Sequence, residues 1–254
     1  MTALDTTLPI QQTQAQTAGP SWRGLYKAGG FAALLSAVFF PIQVAVFLII
    51  PPPSTVTGWF ALFQNNRLAG LLDLDLLLVV DQVLAAVVFV ALYAALRRAS
   101  QSWMATGTAL ALLSTVLFIA SNPAFAMLSL SEQYATAATE AQKANFLAAG
   151  QAMLATWQGS AFHVSYIVGS LGAVIISAVM LRSRHLGKAT AYMGILANVL
   201  ALGLYVPRIG VYVSVFSVLF LWIWYILMAR GLFRIADTAE QGASRPGAPG
   251  RRVT

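Results

Sequence analysis

Asn65-Asn66-Arg67-Leu68-Ala69-Gly70-Leu71-Leu72-Asp73-Leu74-Asp75-Leu76-Leu77-Leu78-Val79-Val80-Asp81-Gln82 opens an apolar run that continues to Leu96. Its length is that of a membrane-crossing helix, which needs about 20 apolar residues. Yet it carries three aspartates. A carboxylate at the centre of a membrane helix costs on the order of 2.5–3.5 kcal/mol on insertion scales. The stretch therefore predicts a membrane span and, on it, a polar site that must justify the charge.

The rest of the chain supports the first half of that reading. Of 254 residues, 59% are hydrophobic and 9% charged, and the mean hydropathy is +0.75. A soluble domain carries roughly 25% charged residues. The deficit predicts an all-α polytopic membrane protein whose main partner is the lipid bilayer. Net charge is +7, but the basic residues punctuate the ends of apolar runs, as membrane topology requires, so nucleic acid is not an expected partner. The chain has no cysteine, which excludes disulfides, thiolate metal sites and dithiol redox chemistry.

Six spans are predicted, at about 28–50, 71–96, 103–121, 162–181, 189–206 and 209–233. Pro41 falls inside the first and should kink it. Pro51-Pro52-Pro53 ends it, and Trp59 and Phe60 read as a loop at the membrane interface. Asn122-Pro123 ends the third span, because the residue before proline resists helix. Residues 129–157 are too polar to span. Ser129-Leu130-Ser131-Glu132 fits a capping box, and Phe146, Gly150, Leu154 and Trp157 recur at helical spacing. They predict one extracellular amphipathic helix between spans three and four. Ser165, Gly169, Ala173 and Ser177 put a small-residue face on the fourth span, suited to close helix packing. Residues 1–20 read as a disordered tail without a cleaved signal peptide, and 236–254 as a disordered basic tail.

Six spans put both termini on one side. Of the 15 basic residues, 12 fall on that side, and only Arg67, Lys143 and Arg208 on the other. The positive-inside rule then predicts a multi-pass protein of the cytoplasmic (inner) membrane with both termini in the cytoplasm.

Asn66-Arg67-Leu68-Ala69-Gly70-Leu71-Leu72-Asp73-Leu74 resembles the start of the second span in a bacterial membrane family known only as domain of unknown function 4386. Phe89-Val90-Ala91-Leu92-Tyr93-Ala94-Ala95-Leu96 is similar to that family's span exit. Phe162-His163, Leu181-Arg182-Ser183 and Leu186-Gly187 resemble its fourth span, and the likeness covers about residues 21–235. Asp75, and Lys188 where proline is common, depart from it. The resemblance implies a six-span integral membrane protein and supplies no activity, substrate or catalytic residue.

On a continuous helix Asp73 would lie near the outer end, and Asp81 roughly 12 Å deeper. At 100° per residue the two share a stripe with Leu77, while Asp75 points about 200° away from Asp73. Asp81 is then a protonatable or cation-binding carboxylate, or a structural one bonded to Asn198, Ser114 or Thr115. Asp73 has Arg67, Arg208 and His163 as candidate neighbours, either as an outward pocket for a small polar ligand or as an ion-pair network. Gln43 would add a polar group or satisfy the carbonyl that Pro41 frees. His185, the second histidine, is predicted on the opposite side from His163. One outer histidine with two aspartates is thin for zinc, which takes three protein ligands and water in its catalytic sites, so no metal or cofactor is expected. There is no phosphate-cradling loop and no nucleophile elbow around Ser160.

The expected function is a small transporter or accessory membrane subunit with an outward-facing polar pocket built from Asp73, Asp81, His163, Arg208, Arg67 and Asn198. The alternative is a structural or signalling protein with no transported ligand. An intramembrane enzyme acting on lipid is the third reading. Homo-oligomerisation is compatible with each.

Overall fold

The computed structural model describes residues 22–183 and 186–243, with side chains to residue 240. The two predicted tails, 1–20 and the part of 236–254 beyond residue 243, lie outside the described residues, as does His185. The described residues form an all-α protein without strands. The helices are α1 (Arg23–Ile49), α2 (Val56–Asn65), α3 (Arg67–Asp73), α4 (Leu76–Leu96), α5 (Gln101–Ser121), α6 (Ala124–Thr136), α7 (Glu140–Trp157), α8 (Ser160–Met180), α9 (Lys188–Ala201) and α10 (Gly210–Ala243), with a 3-10 turn at Leu202–Tyr205.

Six of these pack as a closed ring. α1 lies against α4, α4 against α5, α5 against α8, α8 against α9, α9 against α10, and α10 returns to α1. Short links at Arg97–Ser100 and before Lys188 force the neighbouring helices antiparallel. α5 and α8 share the most extensive of these contacts, and Gly107 and Gly172 face one another in it. A Cβ on Gly172 would come within 2.7 Å of the Gly107 carbonyl oxygen. The predicted small-residue face is divided between two neighbours: Gly169 lies against Ser114 of α5 and Ser177 against Gly194 of α9, and Ser165 and Ala173 are buried. Outward, Phe31, Leu48, Val83, Val116 and Val215 are each more than half exposed. A belt of that size suits lipid rather than water.

Five segments are long and apolar enough to cross a membrane: Arg23–Ile49, Leu76–Leu96, Gln101–Thr136, Glu140–Met180 and Gly210–Glu240. The predicted fifth span, 189–206, is shorter. It consists of α9, with 14 residues, and the four-residue 3-10 turn. At about 1.5 Å and 2.0 Å per residue these rise roughly 29 Å together, close to the thickness of a hydrocarbon core. The six-span reading rests on five long helices and this tightly wound sixth segment.

The remaining helices build a cap at one end of the ring, where α1 hands over to α4 and α5 to α8. Two stretches depart there from the sequence reading. Trp59 and Phe60 are not in an interface loop. Thr55 Oγ1 accepts the Gly58 amide at 3.1 Å and starts α2, which buries both rings. Residues 129–157 are not one helix. α6 begins at Ala124, so Ser129 lies inside a turn that needs no cap. The working capping box is Thr139 with Gln142. Thr139 Oγ1 accepts the Gln142 amide at 3.2 Å, and Gln142 Oε1 accepts the Thr139 amide at 3.3 Å. The predicted stripe does face inward: Gly150 is buried, and Phe146, Leu154 and Trp157 pack on a cluster of Val56, Trp59, Phe60, Phe63, Leu74, Ala124 and Met127.

α10 also runs beyond its predicted end. Residues 236–243, expected to be disordered, continue the helix because Ala236 and Ala239 are buried and Glu240 pairs with Arg23.

Candidate functional site

The predicted second span is broken. α3 ends at Asp73 and α4 starts at Leu76. Leu74 leaves the helix, and Asp75 takes the left-handed conformation with φ 63°. Aspartate tolerates that region better than most residues because its short side chain bonds locally or reaches a nearby donor. A break frees backbone carbonyls, and buried carbonyls need donors. Other helices supply them. The Leu72 carbonyl, which already accepts the Asp75 amide at 3.2 Å, takes a second donor from Gln43 Nε2 on α1 at 3.2 Å. Asn122 Nδ2, at the end of α5, donates to the Leu74 carbonyl at 2.7 Å. Trp157 Nε1, at the end of α7, donates to Asp75 Oδ2 at 3.0 Å. Burial raises the Asp75 pKa to about 6, with the Trp157 hydrogen bond working against the rise and the Asp73 charge adding to it.

Asp73 receives none of these donors. It is fully buried, and both of its carboxylate oxygens lack a hydrogen-bond partner. Gln43 is 4% exposed, and its Oε1 is likewise without a partner. Gln43 does not serve the carbonyl that Pro41 frees. That carbonyl, on Ala37, accepts from Trp222 Nε1 on α10 at 2.7 Å, so α1 passes through Pro41 as one helix.

Two turns back along α1 from Gln43, Ser36 lies beside Asp81 of α4. Ser36 Oγ and Asp81 Oδ1 are both buried without closing a hydrogen bond of normal geometry. Tyr225 of α10, packed on Phe40, lies within electrostatic reach of Asp81. Among the described residues, nine buried side-chain nitrogen and oxygen atoms lack a partner. Five belong to Ser36, Gln43, Asp73 and Asp81. They lie along one seam, where α1 packs on α3 and α4.

The other expected site residues are elsewhere. Asn198 donates to the Gly194 carbonyl of its own helix at 2.8 Å. Thr115 donates to Gln82 at 3.3 Å and to Ala111 at 3.2 Å. Neither is a partner of Asp81. Arg67 pairs with Glu132 at 2.9 Å. His163 Nδ1 meets the Tyr205 hydroxyl at 3.1 Å, and Arg208 is exposed in a tight turn with φ 69°. No hydrogen bond joins Asp73 to Arg67, His163 or Arg208. An open depression of about 400 Å³, lined by Arg97, Arg98 and Gln101, lies at the other end of α4.

Nothing in the sequence analysis marks Asn122, Trp157, Ser36 or Trp222 as a site residue. Asn122 had a signal, since it precedes Pro123 at a span end, where an amide side chain is free to reach across. The others had none that separates them from ordinary packing residues. The chain matches no protein-family model, no curated protein and no solved structure.

Proposed function

We propose that this chain is a small transporter or accessory subunit of the bacterial inner membrane, with both termini in the cytoplasm, and that protons move along the seam between α1 and α3–α4. It would then be a six-span member of the family that its second span resembles. The observation that carries the reading is the set of unpartnered buried oxygens on Ser36, Gln43, Asp73 and Asp81. Leaving a buried polar group unpaired costs about 1–3 kcal/mol, so a purely structural bundle gains nothing by gathering them. A carboxyl in such a place has two states of similar standing. Protonated, it donates and is neutral. Ionised, it needs a partner. Asp73 at the cap end and Asp81 deeper in α4 are two such stations, and the Ser36 hydroxyl can pass a proton because it both donates and accepts.

The test is proton flux into proteoliposomes carrying a trapped pH-sensitive dye under an imposed potential. Flux with the unaltered protein should fall at least tenfold in Asp81→Asn, which keeps the side-chain shape. Equal flux in the two proteins overturns the reading, and background flux in both makes the chain the structural or signalling bundle of the alternative.

A further inference from the structure

The donors at the α3–α4 break are distributed unevenly. Gln43 Nε2 is spent on the Leu72 carbonyl, Asn122 Nδ2 on the Leu74 carbonyl and Trp157 Nε1 on Asp75. The nearest cation in sequence, Arg67, is spent on Glu132. Among side-chain atoms, what is left unpartnered beside the Leu72–Asp73 peptide is acceptors only: both Asp73 oxygens and Gln43 Oε1, all buried. A set of side-chain oxygens with one negative charge and no side-chain donor is the coordination chemistry of a hard cation. Calcium takes six to eight oxygens, commonly with several carboxylates, and a single carboxylate is too little for a divalent ion. A monovalent ion neutralises the Asp73 carboxylate. Membrane transporters hold sodium in this manner, where a helix is interrupted and its end groups turn to the ion.

We propose that Asp73 and Gln43 bind a monovalent metal cation of sodium type at the helix break. This rests on the seam proposed above as the working part, and it names the ion at the cap end of that seam. Asp73 supplies the charge and Gln43 Oε1 a neutral ligand. The Gln43 amide nitrogen, by holding the Leu72 carbonyl, fixes that ligand in position. Asp75 is the charged neighbour at the break. Its Trp157 bond keeps one of its oxygens engaged, so it adds field rather than coordination. Glu132 on α6 is neutralised by Arg67, and α1 brings no titratable group to this end.

The test is thermal unfolding of the purified full chain in detergent at pH 7.5, in sodium, potassium, lithium or choline chloride at equal ionic strength. Ligand binding to the folded state raises the midpoint in proportion to the logarithm of ligand concentration. Sodium at ten times its dissociation constant should raise it by about 2–4 °C over choline for a chain of this size. Asp73→Asn should abolish the difference and Gln43→Met should reduce it. Asp81→Asn should keep it while losing proton flux. If Asp73→Asn does not fold, Gln43→Met decides, and an unchanged sodium shift there sinks the site. Identical midpoints in sodium and choline also sink it. If the midpoint then responds to pH alone, the Asp73 end holds a proton, and the seam reading stands without the metal ion. Flux that ignores Asp81 alongside a sodium shift that needs Asp73 gives the reverse result.

Discussion

Burial outweighs the Trp157 hydrogen bond at Asp75, and the sign of the resulting pH dependence follows. The folded carboxyl titrates at about 6, above the ordinary value near 3.9 of an unfolded chain. Between those values the folded state holds a proton that the unfolded state has lost. The contribution of Asp75 is therefore fully present below about pH 4 and is gone above about pH 6, with a ceiling on the order of 2–3 kcal/mol. Asp75→Asn removes this titration, while its amide oxygen still accepts from Trp157 and asparagine tolerates the left-handed backbone. The melting temperature of the unaltered protein should rise by several degrees from pH 7 to pH 4.5. In Asp75→Asn the rise should be smaller, and parallel curves for the two proteins refute the assignment. Nothing in Leu74-Asp75-Leu76 announces this role. On a continuous helix Asp75 points away from Asp73, and the partners that hold the break lie 48 residues from Leu74 and 82 from Asp75.

At the scale of the helix, α1 and the α3–α4 break show two ways of handling an interrupted hydrogen-bond ladder. Pro41 removes one amide donor, and Trp222 replaces it at the Ala37 carbonyl, so α1 stays whole. Trp222→Phe should cost about 1–3 kcal/mol by leaving that carbonyl unpaired. In a Pro41→Ala background the restored amide can serve Ala37, so the same substitution should cost at least about 0.5 kcal/mol less. Additive losses in denaturant unfolding would show that Trp222 acts through packing alone. The sequence made the presence of these elements legible, since long apolar runs and prolines have direct physical meaning. It hid the break, because Leu71–Leu96 has no glycine or proline to mark one and the amides that stabilise an interrupted backbone come from other helices. For the same reason Asp81 is legible as a deep carboxylate, while its neighbours are not. Depth fixes height along a helix but not direction. The ring puts Asp81 toward Ser36 and Tyr225.

The whole molecule is a ring of helices with its cap at one end and most of its basic loops at the other. The proposed orientation puts Lys143 of α7 outside the cell and Arg98 inside. A chain without cysteine allows single cysteines to be read without background. Lys143→Cys in intact cells should react with a membrane-impermeant maleimide, and Arg98→Cys only after permeabilisation. The opposite pattern inverts the topology. The proposed orientation rests on the charge count alone, because loop charge acts on the chain as a whole, whereas the meeting of side chains at the break is local and three-dimensional.

The clamp on Asp75 also has a consequence for biogenesis. Its donor, Trp157, is made 82 residues later. At roughly 5–20 residues per second of synthesis, about 4–16 s pass before the indole exists. During that interval residues 67–96 leave the ribosome with neither Asn122 nor Trp157 to hold them. The second span therefore enters the membrane as a provisional helix. Its interruption is installed afterwards, when the cap closes over it.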